Sequence, residues 1–377
     1  MVRSISDERF DLAVVGAGIV GLATALAAAR RGLRVVVIDR DAQASGASVR
    51  NFGFVTVTGQ QAGAMWTRAR RTREVWREVA LAADISITHT GMWMTARRAE
   101  SVAVIEAFME SDMAEGCRVL SPQEARRRCP QLKAPELAAV LESTIELRVE
   151  SREAIPRLAS WLAAAHGVHL LRATNVHAID PPWVHTSGVH LRADRIAVCT
   201  GDEYRGLYAE RLADHGLTRC KLQMLRLADP GFKIPATLMS DLGMVRNAGY
   251  ANLKSAGPLK ERLVREQSEH IRNGIHLIVV QNADRTLIVG DSHHYTPTPD
   301  RIAHAAIEVL ILEEYRAALG VQPPPVLERW VGTYAYAHDR PVLIDAPHPA
   351  VRLAIVTCGA GASTGFAIGE ELVASLF

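Results

Sequence analysis

Apolar and polar positions fall along this chain in blocks, not in single alternation. Asp11-Leu-Ala-Val-Val-Gly16 is a short apolar run rich in β-branched residues, the profile of a strand buried on both faces of a parallel sheet. Residues 22–31 are Ala-rich and predict a helix, which Gly32 stops. Arg34-Val-Val-Val-Ile38 is a second buried strand. Further strand-like runs fall at 91–95, 167–171, 195–199, 219–228, 274–290 and 351–356. Helical patterns cover 99–113, 150–166 and 301–319, and another opens near 120 with a proline at its start. Gln322-Pro-Pro-Pro325 reads as a stiff linker. No internal repeat or low-complexity tract interrupts the series.

Composition narrows the class. The 377 residues suit about two domains. Apolar residues at 48% and charged residues at 22% are globular values, so a disordered chain is excluded. A formal net charge of +2 and only 5% aromatics argue against a nucleic-acid surface. The five cysteines, Cys117, Cys129, Cys199, Cys220 and Cys358, contain no C-x-x-C pair, so neither a zinc knuckle nor a redox pair is expected. Residues 1–10 are polar, without a signal-peptide core, and no apolar stretch is long enough to span a bilayer. The expectation is a cytoplasmic protein with no membrane partner.

The opening carries the chemistry. Gly16-Ala-Gly18-Ile-Val-Gly21 joins the first strand to the helix, and Asp39 ends the second strand 18 residues after Gly21. Strand, glycine turn, helix, strand and acid make the full dinucleotide fingerprint. Gly16 makes the tight turn, Gly18 lets the backbone approach a pyrophosphate, and Gly21 lets helix and strand pack. The helix N-terminus offers N–H groups and partial positive charge to the phosphates, and Asp39 can accept from a ribose. The small hydroxyl and glycine residues of Ala44-Ser-Gly-Ala-Ser48-Val-Arg50-Asn51-Phe-Gly53 suit a cofactor that runs on past the pyrophosphate.

With these motifs the chain resembles the FAD-dependent D-amino-acid oxidase superfamily over nearly its whole length, most closely the glycine oxidase and sarcosine oxidase branch. The resemblance implies an α/β fold: a Rossmann-like FAD-binding domain of the glutathione-reductase type, with an inserted α+β substrate domain containing a mixed sheet. It divides the chain into a discontinuous FAD-binding domain, residues 1–85, 145–215 and 325–377, and a substrate domain, 86–144 and 216–324. It assigns FAD contacts to Gly16, Gly18, Gly21, Asp39, Arg40, Ser45, Ser48, Arg50, Asn51 and Gly53. It adds Val176 beside adenine, the Thr200-Gly201 turn, and the C-terminal loop Gly359, Gly361, Ser363, Thr364 and Gly365 before the last helix. It places Arg50, His293, His294 and Tyr334 at the catalytic face, with Trp330 and Tyr336 nearby. No metal is implied.

Other signals compete and lose. Gly361-Ala-Ser363-Thr-Gly365 matches the hydrolase elbow, but that fold needs an acid and a His after the Ser. The 14 residues that follow Ser363 hold neither Asp nor His. The adjacent pair His293-His294 would point to opposite faces of a strand, so both seldom hold one metal. The runs Arg68-Ala-Arg70-Arg71-Thr-Arg73 and Arg126–Arg128 read as solvated helix faces.

The chain also departs from the branch. Sarcosine oxidases attach flavin to a Cys where this chain has Gly332 and Thr333, so FAD is expected to be non-covalent. The Lys that promotes oxygen reaction there is replaced by Leu287, Ile288 or Val289, and the Arg that anchors the substrate carboxylate in glycine oxidase is missing near Thr333. Arg50, Arg246, Lys254, His293 and His294 are the candidate anchors, with Arg50 expected to lead. The implied reaction is oxidation of the C–N bond of a small anionic amine such as glycine, sarcosine, iminodiacetate or another N-substituted glycine. The imine hydrolyses to an aldehyde or keto acid such as glyoxylate, and molecular oxygen is the expected acceptor. An aminophosphonate is the alternative substrate. More distant alternatives are a non-catalytic or tRNA-modifying flavoprotein and an NAD-linked dehydrogenase.

Overall fold

The computed structural model describes residues 9–377, so most of the polar stretch 1–10 lies outside the described residues. Two sheets organise the chain. The first runs in the order Val342–His348, Val351–Val356, His190–Val198, Arg9–Val15, Val35–Ile38, His169–Leu171. All neighbours in it are parallel except the pair that includes Val342–His348. Its central strands, Arg9–Val15, Val35–Ile38 and Val351–Val356, are largely apolar because both of their faces are covered. The helices Ile19–Arg30, Ser151–His166 and Gly361–Leu376 pack on one face through Leu22, Leu26, Leu158, Leu162, Phe366 and Leu372. The short strands Val176–Asp180 and Trp183–Thr186 extend from His190–Val198 and cover the other face with Val176, Val184 and Leu191.

Glycine permits the tightest crossing here. A Cβ at Gly369 would lie 2.6 Å from the Ala23 carbonyl carbon, so the C-terminal helix touches the backbone of the first one.

The second sheet has ten strands. Its path runs His294–Thr296, Thr218–Leu227, Leu287–Gly290, Ile278–Gln281, Thr237–Ser240, Ile87–Ala96, Ala139–Val149 and Phe54–Val55. The helix Ala305–Leu319 seals it with Ile307, Ile311 and Tyr315. A buried ion network, with Arg97 and Arg98 donating to Asp241 and Arg97 to Glu314, ties the helix Ala99–Met109 to this sheet.

Several expected elements shift. The helix expected over 99–113 ends at Met109 and is followed by a 3-10 turn at Asp112–Ala114. The run 274–290 is a hairpin of two strands. The helix expected from 301 begins at Ala305. Ser363, Thr364 and Gly365, read as loop, lie in the first turns of the C-terminal helix. The largest shift concerns Val326–Tyr336. Placed by sequence with the FAD-binding piece from 325 onward, it pairs antiparallel with Thr218–Leu227 from Thr218↔Tyr336 to Leu227↔Val326. It is a strand of the second sheet; its partner lies about a hundred residues earlier, where no local pattern can show the pairing.

Candidate active site

The first strand ends at Val15 and the helix begins at Ile19. Gly16 sits at φ +103, and a Cβ there would lie 2.4 Å from the Cys199 carbonyl oxygen. A Cβ on Gly21 would strike the Gly16 oxygen at 1.9 Å. These two glycines close the turn on protein backbone. Gly18 differs: its Cβ would meet only the Ser48 hydroxyl, at 3.0 Å. What it meets is a side chain of the following loop, not the backbone of a strand or helix.

The N-terminus of the C-terminal helix lies beside this turn. Cβ atoms on Gly361 and Gly365 would lie 3.5 and 3.1 Å from Ile19. Neither helix has a side-chain cap from its own N-cap residue. Two helix N-termini, each favouring negative charge, therefore converge. Two converging helix N-termini with a glycine turn between strand and helix fit a pyrophosphate-bearing cofactor.

The loops around the cradle are braced internally. Asp39 accepts from Ala17 N–H at 2.7 Å and from Asp41 N–H at 2.9 Å; its remaining lone pairs are still available to a ribose. The Ser45 hydroxyl donates to Asp41, and Ser48 Oγ accepts from Ile19 N–H at 2.9 Å. Asn51 spans its own turn, donating to Ala47 O at 2.7 Å and accepting from Gly53 N–H at 2.7 Å. Arg40 and Thr200 both reach Glu203, at 3.5 and 2.8 Å, and Val176 is buried nearby against the first sheet. Gly201 is at φ +65. The buried Ser363 hydroxyl accepts from Thr56 N–H at 3.0 Å, and Thr364 donates to Ala360 O at 2.9 Å. Their side chains build the loop, leaving backbone groups to face a ligand.

Tyr334 links this end to the second sheet. Its ring would lie 3.1 Å from a Cβ on Gly359, which is at φ +77. Tyr334, Cys220 and Tyr295 form one row across three strands, so their side chains share a face. Arg246 donates to the Tyr295 hydroxyl at 2.9 Å. Burial opposes the charge on Arg246, but the hydrogen bond to Tyr295 and the Asp291 carboxylate favour the ionised guanidinium. Burial also pushes the Tyr334 hydroxyl well above its ordinary range.

His293 lies at this face, with its ring 6.5 Å from that of Tyr334 and edge-on to it. His294 turns the other way, 3.1 Å from Asn273 Oδ1. The adjacent pair thus splits as expected of a strand. His293 instead meets Asp291 and His276, whose ligating atoms together lie within 4.8 Å of one another. Burial drives the His293 imidazole down to about 3 against the pull of Asp291, so it is neutral and cannot anchor an anion by charge. Asp291 is held below the usual carboxylate range: burial opposes its charge, but the neighbouring imidazoles and Arg246 prevail.

Arg50 does not join this group by hydrogen bond. It is exposed, its guanidinium 3.5 Å from Val331 O. Lys254 is exposed in the turn before the helix Ala256–Glu266. Of the candidate anchors, only Arg246 combines permanent charge with contact to the Tyr334 row.

Sequence reading missed His276 and gave Asp291 no role. The signal was the hairpin: with Ile278 opposite Gly290, the turn near 284 brings His276 against Asp291, and their backbones exchange hydrogen bonds of 2.9 and 2.7 Å.

The basic runs are largely neutralised. Arg68 and Arg71 bind Glu371 and Glu370 on the C-terminal helix, Arg70 binds Glu115, and Arg128 binds Glu142. Among the described residues no helix is long and apolar enough to cross a membrane.

Comparisons with known proteins bear on the family and the fold. A family model described as FAD dependent oxidoreductase matches residues 11–375. The bifunctional protein ThiO/ThiG of Nostoc sp. (strain PCC 7120) is 24% identical over 359 residues, covering 90% of this chain and 48% of that protein. The chain therefore spans about half the length of the curated relative it matches. Among solved structures, glycine oxidase from Geobacillus kaustophilus superposes with a TM-score of 0.75 at 20% identity, covering 98% of this chain and 94% of the other. Iminodiacetate oxidase from Chelativorans sp. BNC1 gives 0.73 at 18% identity, covering 97% and 95%. These likenesses establish a shared fold.

Proposed function

We infer what this enzyme oxidises from the premise that its chain belongs to the FAD dependent oxidoreductase family. The substrate is a small anionic primary or secondary amine of the glycine, sarcosine or iminodiacetate type. The observation that carries this reading is Arg246, held cationic near Asp291 and bonded to Tyr295 in the row that Tyr295 forms with Cys220 and Tyr334. A small zwitterion has one group for each sign.

Bound FAD supplies a two-electron acceptor for the C–H next to the amine nitrogen. The cradle at Gly16–Ile19 and the helix from Gly361 would hold its phosphates and its ring edge. Tyr334 would set the distance between ring and substrate, because it packs on Gly359. Arg246 would orient the acid group by a charge-assisted bond, and the buried face would exclude water from the amine. The product imine hydrolyses to a carbonyl compound, and oxygen is the proposed final acceptor.

With Arg246 the one candidate anchor that brings permanent charge to the Tyr334 row, and His293 neutral, a monoanionic carboxylate end is favoured over a phosphonate dianion. The test is anaerobic bleaching of purified holoenzyme by glycine, sarcosine, iminodiacetate and 2-aminoethylphosphonate, followed by peroxide assay on admitting air. Bleaching by one of the carboxylates, with formation of the matching carbonyl product, supports the reading. Bleaching by the aminophosphonate alone reverses the ranking of acid groups, and no bleaching by any member overturns the amine class.

A further inference from the structure

The environment of Asp291 contains an unanswered hydrogen-bonding problem. Asp291 is 4% exposed, and its Oδ1 has no hydrogen-bond partner. The nearest side-chain nitrogens are His276 Nδ1 at 3.6 Å from Oδ1 and His293 Nε2 at 3.7 Å from Oδ2. Both distances are too long for a hydrogen bond. A buried carboxylate oxygen without a donor is costly.

The tautomer of His293 sharpens the problem. Its Nδ1 is 2.9 Å from the Gly274 carbonyl oxygen. A carbonyl only accepts, so Nδ1 carries the hydrogen. The imidazole is neutral, so Nε2 presents a bare lone pair. That lone pair faces a carboxylate oxygen at 3.7 Å, acceptor against acceptor. Two acceptors at that spacing call for a donor between them, preferably one with positive charge.

The Arg246 guanidinium is not that donor in this arrangement: its hydrogen bond goes to Tyr295 and Asp291 Oδ1 receives none, although its charge is felt at Asp291. The missing donor is one that a ligand can bring. A substrate amine nitrogen carries N–H donors and, when protonated, positive charge.

We propose that the Asp291 carboxylate, together with His293 Nε2, receives the amine nitrogen of the substrate while Arg246 takes its acid group. This rests on the amine reading of the preceding section and deepens it: the site selects a zwitterion by contacting both ends. An isosteric ligand with oxygen in place of N–H offers no donor at that point and would bring a third acceptor.

The experiment uses paired ligands. Binding of iminodiacetate and diglycolate, and of sarcosine and methoxyacetate, is read from perturbation of the flavin absorbance, or from half-saturation of bleaching where reduction occurs. In the wild-type holoenzyme the amine member of a bound pair binds at least about tenfold more tightly than its oxygen analogue. Asp291→Asn, checked for full flavin content, weakens the amine member by roughly ten- to a hundredfold and leaves the analogue within about twofold. Equal weakening of both members, or no wild-type preference for the amine, overturns the proposal; the wild-type comparison stands even if the variant does not fold. A stoichiometric divalent ion in the wild type that disappears in Asp291→Asn also overturns it, because a metal would then be the missing partner. Bleaching by an amine with no Asp291 dependence defeats this inference but not the amine reading. Amine preference without bleaching does the reverse.

Discussion

Two carboxylates show how differently the ends of this molecule are built. Asp39 sits at the end of the second strand with one oxygen on Ala17 N–H and the other on Asp41 N–H. Asp291 sits at the end of another strand with Oδ1 bare. The first is held by neighbouring backbone and completes a turn. The second is surrounded by side chains from separate segments, His276, His293 and Arg246, and is complete only with a further donor. The nucleotide end is a shape made of main chain, which a misplaced Cβ can ruin. The substrate end is a charge pattern, which a near-isosteric substitution can ruin while the shape survives.

The sharpest way to break this contrast is at the glycines. Gly18→Val should remove essentially all bound FAD, because its side chain presses on the Ser48 hydroxyl, 3.0 Å from the Cβ, and crowds the pyrophosphate turn, while far-ultraviolet circular dichroism stays close to wild type. Gly21→Ala should act on the fold instead, since its Cβ meets the Gly16 oxygen at 1.9 Å. A destabilisation of about 1–3 kcal/mol is expected from such overpacking, read as a lower denaturant midpoint. Full flavin occupancy in Gly18→Val would show that the cofactor does not use this turn.

Acid separates the two ends by a second route. Burial brings both His293 and His89 down to about 3, with Arg148 and Lys233 adding to the push on His89. Each is neutral in the fold but binds a proton below about pH 6.5 when unfolded. The unfolded chain then holds more protons, so stability is complete above about pH 6.5 and falls as the pH drops toward 3. The loss is on the order of 2 kcal/mol per group at pH 5. Thermal midpoints of His89→Gln should therefore fall less between pH 7 and pH 5 than those of wild type, with flavin content unchanged at pH 7. Parallel curves for the two proteins would show that His89 is not held neutral.

The smallest effect is expected on the surface. Arg68 pairs with both oxygens of Glu371 at 2.8 Å, yet Glu371 is 42% exposed. Arg68→Ala should change stability by about 0.2–1 kcal/mol and leave the flavin spectrum untouched. A larger loss would make this pair part of the support for the C-terminal helix.

The same contrast explains what the sequence made legible. The cofactor end is local: Gly16, Gly18, Gly21 and Asp39 lie within 24 residues, and each has a backbone reason to be where it is. The C-terminal glycines could be recognised for the same reason, although the helix begins earlier than the pattern suggested. The substrate end is assembled from hairpin register and from contacts across the sheet. Tyr334 meets Cys220 through a pairing of distant strands, and His276 meets Asp291 across a turn. Neither spacing is a motif, so Asp291 and His276 stayed unassigned, and the exposed Arg50 looked a better anchor than Arg246.

Which arginine holds the substrate is the most direct question about this site. Anaerobic titration of wild-type, Arg246→Met and Arg50→Met holoenzymes with the amine that bleaches wild type decides it. All three are expected to purify with equal FAD. Arg246→Met should need roughly ten- to a hundredfold more amine for half-bleaching, the loss of one charge-assisted bond, while Arg50→Met should stay within about twofold of wild type. Identical titration curves for Arg246→Met and wild type, or a loss confined to Arg50→Met, would contradict Arg246 as the anchor.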